Sequence, residues 1–299
     1  WSLAVRDGYA YIGGSENITV MDISHPRDPR IVYTFGTPAT YGNHLAVKGD
    51  YLLVSHNLDL GVYSLTNPAQ PSEVTSVAGG VSGTYGTGLM VHDSVGLIPT
   101  LVYIWSGSRI IGIRGDALVF DVADPSAPVA HGLFYNTPQS FHPEWPGSNF
   151  YIGRGTAALS DTLYLPSTTA TNDARGGTGL VRMLAGTDAA NLAEINGCEL
   201  PGTAVLHGIG IQGDRALVTG STGYFTVQGS PCPTGDLSLH LLDLSNPHNP
   251  VVLGGTNLLG VDTSSQSGVS PAPVANGLYA VQGITMDGQP VLLLVDASI

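Results

Sequence analysis

The chain has 299 residues with 42% hydrophobic and only 11% charged side chains, enough apolar surface for a large core and too little charge for a disordered segment. Ten basic residues stand against 23 acidic ones, a formal net charge of −13 with a single lysine, Lys48, so a clustered basic surface for nucleic acid or an anionic membrane is excluded. Forty glycines and 20 prolines argue against helical bundles and coiled coils and for many short strands joined by tight turns.

In chain order the first predicted element is a β-hairpin, and it recurs. Ala4–Gly14 (Ala-Val-Arg-Asp-Gly-Tyr-Ala-Tyr-Ile-Gly-Gly) aligns with Ala46–Ser55, Ile209–Val218 and Val274–Val281, and more weakly with Leu89–Leu97 and Ala158–Leu165. Each is a short apolar strand, a polar turn of two or three residues and a second apolar strand. A second unit follows each hairpin: an alternating strand ending in Asp or another polar residue, then a proline-bracketed turn. The clear copies are Val20–Pro29, Val62–Pro71, Val119–Pro128 and Leu241–Pro250; Leu180–Leu192 is a copy without prolines, and Val291–Ser298 stops before its turn. The repeated Asp and Ser residues suit turn initiation, the first Pro fixes φ, and the second removes an N–H that an edge strand would expose. A carboxylate that recurs in most repeats reads as structural, because a catalytic one is needed once.

Four short antiparallel strands per unit, repeated six times, predict an all-β chain: a β-propeller of about six four-stranded blades, with two stacked β-domains as the alternative. The predicted blades are roughly 1–42, 43–86, 87–153, 154–206, 207–269 and 270–299. The sixth lacks an outermost strand, so either it has three strands or that strand lies outside the sequence. Trp1-Ser2-Leu3-Ala4-Val5 already reads as strand, as expected of a mature product or a segment of a longer polypeptide.

Ile18-Thr-Val-Met-Asp22, Ala117-Leu-Val-Phe-Asp121, Leu239-His-Leu-Leu-Asp243 and Leu292-Leu-Leu-Val-Asp296, each in its hairpin-and-turn setting, resemble the repeats of the LVIVD-repeat family of bacterial β-propellers. The resemblance implies the propeller fold and a cell-surface or exported setting. It implies no single reaction and no cofactor.

Sites are expected where the repeat breaks down. The strand-two-to-three connections and the blade-to-blade connections open on one face, and the proline turns on the other. Long insertions at Trp105–Gly115, Asn136–Arg154, Thr171–Gly177, Ser221–Asp236 and Thr256–Ser270 therefore mark the predicted functional face. Residues just before each innermost strand are expected to ring the mouth of the central channel: Trp1/Ser2, Asn43/His44, Thr87/Gly88, Gly155/Thr156, His207/Gly208 and Ser270/Pro271. Beside them, Phe141–Arg154 gathers aromatic rings that stack on sugars or pack on proteins, with an imidazole, a carboxylate and a guanidinium. The candidate ligand-binding residues are Tyr41, His44, His142, Glu144, Trp145, Arg154 and His207. No catalytic residue and no metal site is assigned: the histidines lack a metal-ligand spacing, His25 and His248 belong to solvated turns, and His240 to a strand. Gly83–Gly88 lacks a Walker lysine, and no Gly-x-Ser-x-Gly elbow occurs. Cys198 and Cys232 fall in predicted loops of adjacent blades on one face, where a disulfide is expected, with an oxidising compartment.

The expected function is a non-catalytic extracellular or cell-surface propeller that binds protein or glycan through its loop-rich face, or a structural module, with further domains or copies of a longer chain as additional partners. The alternative is a secreted hydrolase or lyase with its site over the channel mouth, built on carboxylates such as Glu144, Asp173, Asp236 or Asp262.

Overall fold

The computed structural model describes residues 2–39, 42–80, 84–106, 109–134, 149–152, 156–170, 177–227, 230–262, 271–275, 277–285 and 289–298. The chain divides into two compact units, Trp1–Thr100 with Ala117–Phe134 and Thr187–Asn191, and Leu101–Asp116 with Tyr135–Gly186 and Leu192–Ile299. Within them the backbone is almost all antiparallel strand, ordered as six blades.

Blade one is a four-stranded meander of β1 (Ser2–Arg6), β2 (Tyr9–Gly13), β3 (Asn17–Asp22) and β4 (Arg30–Gly36). Blade two repeats it with β5 (Asn43–Lys48), β6 (Tyr51–His56), β7 (Asp59–Ser64) and β8 (Ser72–Val77). In blade three the innermost position is split between β9 (Thr84–Gly86) and β10 (Met90–His92), both paired to β11 (Val95–Ser106), with β12 (Arg109–Asp121) and β13 (Val129–Phe134) outside. Blade four is split the same way, β14 (Asn149–Ile152) and β15 (Ala157–Leu159) both pairing β16 (Thr162–Ala170), followed by β17 (Gly177–Ala185) and β18 (Ala193–Leu200). Blade five is β19 (Val205–Gln212), β20 (Arg215–Val227), β21 (Ser230–Asp243) and β22 (Val251–Asp262). Blade six has three strands, β23 (Ala272–Ala275), β24 (Leu278–Thr285) and β25 (Pro290–Asp296), and the end of β22 also pairs β24.

One backbone bond identifies the blades as copies of one unit. The residue leaving the third strand donates its N–H to the carbonyl of the first hairpin turn: Ile23 to Gly8, Leu65 to Asp50, Val122 to Ser94, Gly186 to Asp161, Leu244 to Asp214 and Ala297 to Gly277, at 2.7–3.0 Å. The repeated carboxylates then start the next turn. Asp22, Asp121, Asp243 and Asp296 accept the N–H two residues on, from Ser24, Ala123, Ser245 and Ser298, at 2.8–3.0 Å. Blade two uses the Ser64 hydroxyl, which accepts from Thr66 N at 3.2 Å. Blade four, without prolines, forms a 3₁₀ turn at Ala189–Asn191 in which Asp188 accepts from Ala190 N at 2.9 Å. These Asx and Ser turns hold Asp22, Asp243 and Asp296 below the usual carboxylate pKa, the bonds from Ser24, Ser245 and Ser298 being the main cause.

A β-bulge recurs where the third strand meets the fourth. The register shifts between Val20 and Met21, Val62 and Tyr63, Val119 and Phe120, Met183 and Leu184, and Leu241 and Leu242. Each bulge strengthens the local twist, so the outer strand splays away from the blade.

The core is a set of clusters between blade faces. The first seam, between blades one and two, buries Tyr11, Ile18, Val20, Leu45, Leu52, Val54 and Tyr63, with Tyr33 and Phe35 of β4 packed on them. A second cluster joins Leu53, Leu60, Ile98, Leu118 and Phe120 of blades two and three. In the second unit, Tyr164, Val181, Met183, Leu206 and Val218 join blades four and five, and Leu217, Leu239, Tyr279 and Val281 join blades five and six. Tyrosines pin two seams: Tyr11 donates its hydroxyl to Pro68 O at 3.0 Å, and Tyr164 to Pro247 O at 2.9 Å, each reaching the proline turn of the following blade. Burial drives Tyr11 up to about 12 and Tyr164 upward as well, so both stay donors at any physiological pH.

Candidate functional site

The predicted site residues fall into two groups. Tyr41, His142, Glu144, Trp145 and Arg154 lie outside the described residues. His44 and His207 are described. His44 is half-buried on β5 opposite Ser55, and His207 is buried on β19 at the point where the register between β19 and β20 shifts. They belong to different compact units, and each lies within an innermost strand, β5 or β19, rather than just before it as expected.

Next to His44, the structure builds a polar network that the sequence reading did not single out. Asn43, only 1% exposed, donates its amide to Gly14 O at 3.0 Å and Asn17 O at 3.3 Å. Its Oδ1 accepts from the Thr37 hydroxyl at 2.9 Å and from His56 Nδ1 at 3.0 Å, which assigns the proton of a neutral His56 to Nδ1. The other ring nitrogen lies over Gly61, where a Cβ would come within 2.3 Å of Nε2. Burial lowers the His56 pKa to about 4, with Asp59 opposing weakly, so the imidazole is neutral at pH 7. A neutral imidazole bound through Nδ1 to Asn43 is a structural tie between the blade-one turn and blade two. The signal for it was Asn43 at a position where every other blade enters its innermost strand.

Blade five holds a second network of the same kind. The Thr203 hydroxyl lies 2.8 Å from Ser238 Oγ and 2.6 Å from His240 Nε2, all three buried, and burial lowers the His240 pKa. In blade four, Arg182 is 1% exposed and forms a bidentate pair with Glu194, Nε to Oε1 at 2.9 Å and Nη2 to Oε2. His248 lies exposed in its proline turn as expected, and its Nε2 also reaches Asp161 Oδ1 at 3.1 Å, joining the blade-five proline turn to the first hairpin turn of blade four. That contact is the main reason Asp161 titrates below the usual carboxylate range.

Two further expectations need correction. Cys198 and Cys232 were placed in loops, but both lie on strands, Cys198 opposite Val181 on β18 and Cys232 opposite Phe225 on β21. Cys198 is a free thiol, packed against the blade-four–five cluster with its pKa raised by burial, and the side chain of Cys232 lies outside the described residues. The insertion read at Ser221–Asp236 as an irregular loop is largely β-ribbon, with pairing that continues through Tyr224–Pro233 to Val227–Ser230. Strands also run from Val95 to Ser106 and from Arg109 to Asp121, taking in most of the Trp105–Gly115 insertion.

The strand-two-to-three connections are therefore unequal. In blades one and two they are tight turns after strands of five and six residues. In blade five the strands have 13 and 14 residues, in blade three 12 and 13, and in blade four nine each. At about 3.4 Å per residue, the seven residues by which β20 exceeds β6 carry a ribbon about 24 Å further. Residues 101–116, 162–186 and 215–243, which contain these ribbons, all belong to the second compact unit. Among the described residues no three His, Cys, Asp or Glu side chains converge as a metal site, and no helix is long and apolar enough to cross a membrane.

Six blades of this construction define a β-propeller, the last one three-stranded. The chain carries LVIVD repeats: the family model described as the LVIVD repeat matches residues 1–37 and 41–79, which are blades one and two. Among solved structures, the chain is similar to the WD40 domain of Neurospora crassa Pan2, at 10% identity and a TM-score of 0.52 over 96% of this chain and 75% of that one. It is likewise similar to a protein from Lactobacillus plantarum, at 14% identity and a TM-score of 0.52 over 97% of this chain and 78% of that one. Identities this low carry the fold alone. No curated protein matches the chain.

Proposed function

We propose that the chain is a non-catalytic binding propeller that engages a protein or glycan through the ribbons of blades three, four and five, in an extracellular or cell-surface setting. The observation that carries this reading is the asymmetry between the two ends of the blades. The proline-turn end repeats one hydrogen-bonding scheme in every blade, whereas the ribbon end diverges in length from blade to blade. Uniform ends suit a scaffold, and divergent ones suit recognition. His56, His240 and Arg182 are each tied to a neighbour within the fold, His56 Nδ1 to Asn43, His240 Nε2 to Thr203 and Arg182 to Glu194. The low charge and the LVIVD repeats support an exported setting.

The test is a glycan array and a surface-protein binding screen with the whole chain, repeated with residues 222–235 replaced by a four-residue turn. A ligand whose affinity falls at least about tenfold in the shortened variant, with an unchanged melting temperature, is the expected result. A ligand held equally well by both proteins refutes the ribbon end as the binding face.

A further inference from the structure

The seam between blades five and six holds an open, largely apolar cleft of about 470 Å³, lined by Leu217, Leu239, Leu241, Gly254, Thr256 and Val295 and flanked by Arg215 and Asp296. Its origin is legible from the chain's own repeats. In blade one, Val20 pairs with Tyr33 and Ile18 with Phe35; at the same places past the same bulge in blade five, Leu241 pairs with Gly254 and Leu239 with Thr256. The third residue of the second strand is Tyr11 in blade one and Leu217 in blade five. Three aromatic rings that fill the first seam thus correspond to Leu, Gly and Thr at the fifth.

Gly254 is not there for backbone reasons. Its φ is not among the positive ones, and a Cβ built on it meets nothing within 4 Å. Its neighbour Gly255 differs, since a Cβ there would strike His240 Nδ1 at 2.5 Å. The space beside Gly254 is therefore open to a side chain that the sequence does not supply. The two charged groups at the rim already have partners: Arg215 Nη1 faces Asp243 at 3.5 Å, and Asp296 accepts the Ser298 N–H at 3.0 Å.

We propose that this cavity is a binding site for a small, uncharged, planar aromatic molecule, which takes the place of the rings of Tyr11, Tyr33 and Phe35 in the first seam. An apolar cleft accepts an aromatic guest because the ring displaces water from Leu217, Leu239, Leu241 and Val295 and gains dispersion contacts with them. The volume lies within the range of small-molecule pockets. The apolar lining of Leu217, Leu239, Leu241 and Val295 favours an uncharged ligand. This site is separate from the ribbons and stands independently of the proposed binding face.

The probe is 2-naphthol, titrated into the whole chain by calorimetry and fluorescence. Saturable one-to-one binding with a Kd of about 10⁻⁴ M is expected for a ligand of this size. The double variant Gly254→Tyr/Thr256→Phe fills the cavity with the rings of blade one; binding falls at least about tenfold, and the melting temperature rises by about 2–4 °C. Should the double variant fail to fold, Thr256→Phe alone lowers the affinity, and hydrogen exchange on the unaltered chain shows naphthol-dependent protection confined to β20–β22 and β25. Absence of saturable binding up to the solubility limit, undiminished binding by a folded filled variant, or protection mapping elsewhere overturns the site.

Discussion

The first and fifth seams are built from equivalent strands in the same register, yet one is packed with rings and the other leaves an open cleft. At the first, Tyr33 stacks on Phe35 with ring centroids 5.7 Å apart, Phe35 meets Tyr63 at 5.0 Å, and Tyr63 meets His56 edge-on at 6.2 Å. At the fifth, the corresponding outer strand carries Gly254 and Thr256, both exposed, and the open cleft beside them is about 470 Å³. The hydrogen-bonding frame hardly differs: Ile23 N to Gly8 O and Ala297 N to Gly277 O are both 2.8 Å. A repeat fold can thus hold its backbone constant while side chains at two or three positions turn a packed seam into a cavity.

The largest expected effect that sharpens this contrast is Tyr11→Ala. It removes a side chain with no solvent exposure from the filled seam and costs about 3–5 kcal/mol in urea denaturation. Leu217→Ala at the hollow seam costs less, about 2–3 kcal/mol, because fewer neighbours lose contact with it. Equal losses at the two positions break the comparison.

Acid weakens the first seam in particular. With the folded pKa of His56 near 4 and an unfolded value near 6.5, the unfolded chain binds the extra proton first as pH falls. The contribution of neutral His56 is complete above pH 6.5 and declines by up to about 1.4 kcal/mol per pH unit, to a total of about 3 kcal/mol near pH 4. Denaturation from pH 7.5 to 4.5 shows this slope in the native chain, and His56→Gln flattens it. An unchanged slope in that variant removes His56 from the account.

The smallest effect is Tyr11→Phe, which deletes only the hydroxyl bond to Pro68 O and costs about 1 kcal/mol. Its mirror is Leu217→Tyr, which adds a ring to the cavity without disturbing the bulge. That variant equals or exceeds the native chain in stability, and a loss of more than about 1 kcal/mol contradicts an open cavity at that position.

Most of the frame was legible because it is written several times. Pro-x-x-Pro recurs at the third-to-fourth-strand turns of blades one, two, three and five, and the structure gives Asp22, Asp121, Asp243 and Asp296 the same turn-starting bond. The proline-less turn after Ala185 kept its place, since Asp188 alone starts it. The bulge was harder to see. It inserts Val32 and Leu253 into the outer strands, so the equivalence of Tyr33 with Gly254 emerges only when pairing is known. The ribbons were missed because Ser221–Asp236 is rich in Gly, Pro and Ser, which read as loop, while backbone pairing through Tyr224–Pro233 makes it strand. His56 escaped notice for a different reason: no repeat shares its partner Asn43, so the network has no periodic signature. Of the predicted ligand-binding residues, only His44 and His207 fall among the described ones, and single-copy insertions such as Phe141–Arg154 offer no second copy to compare.

Hydrogen exchange of the whole chain without ligand tests the central contrast most directly. If the first seam is filled and the fifth hollow, the paired amides of β3 and β4 exchange at least about tenfold more slowly than those of β21 and β22 around Leu241 and Gly254. Equal protection of the two strand pairs would contradict it.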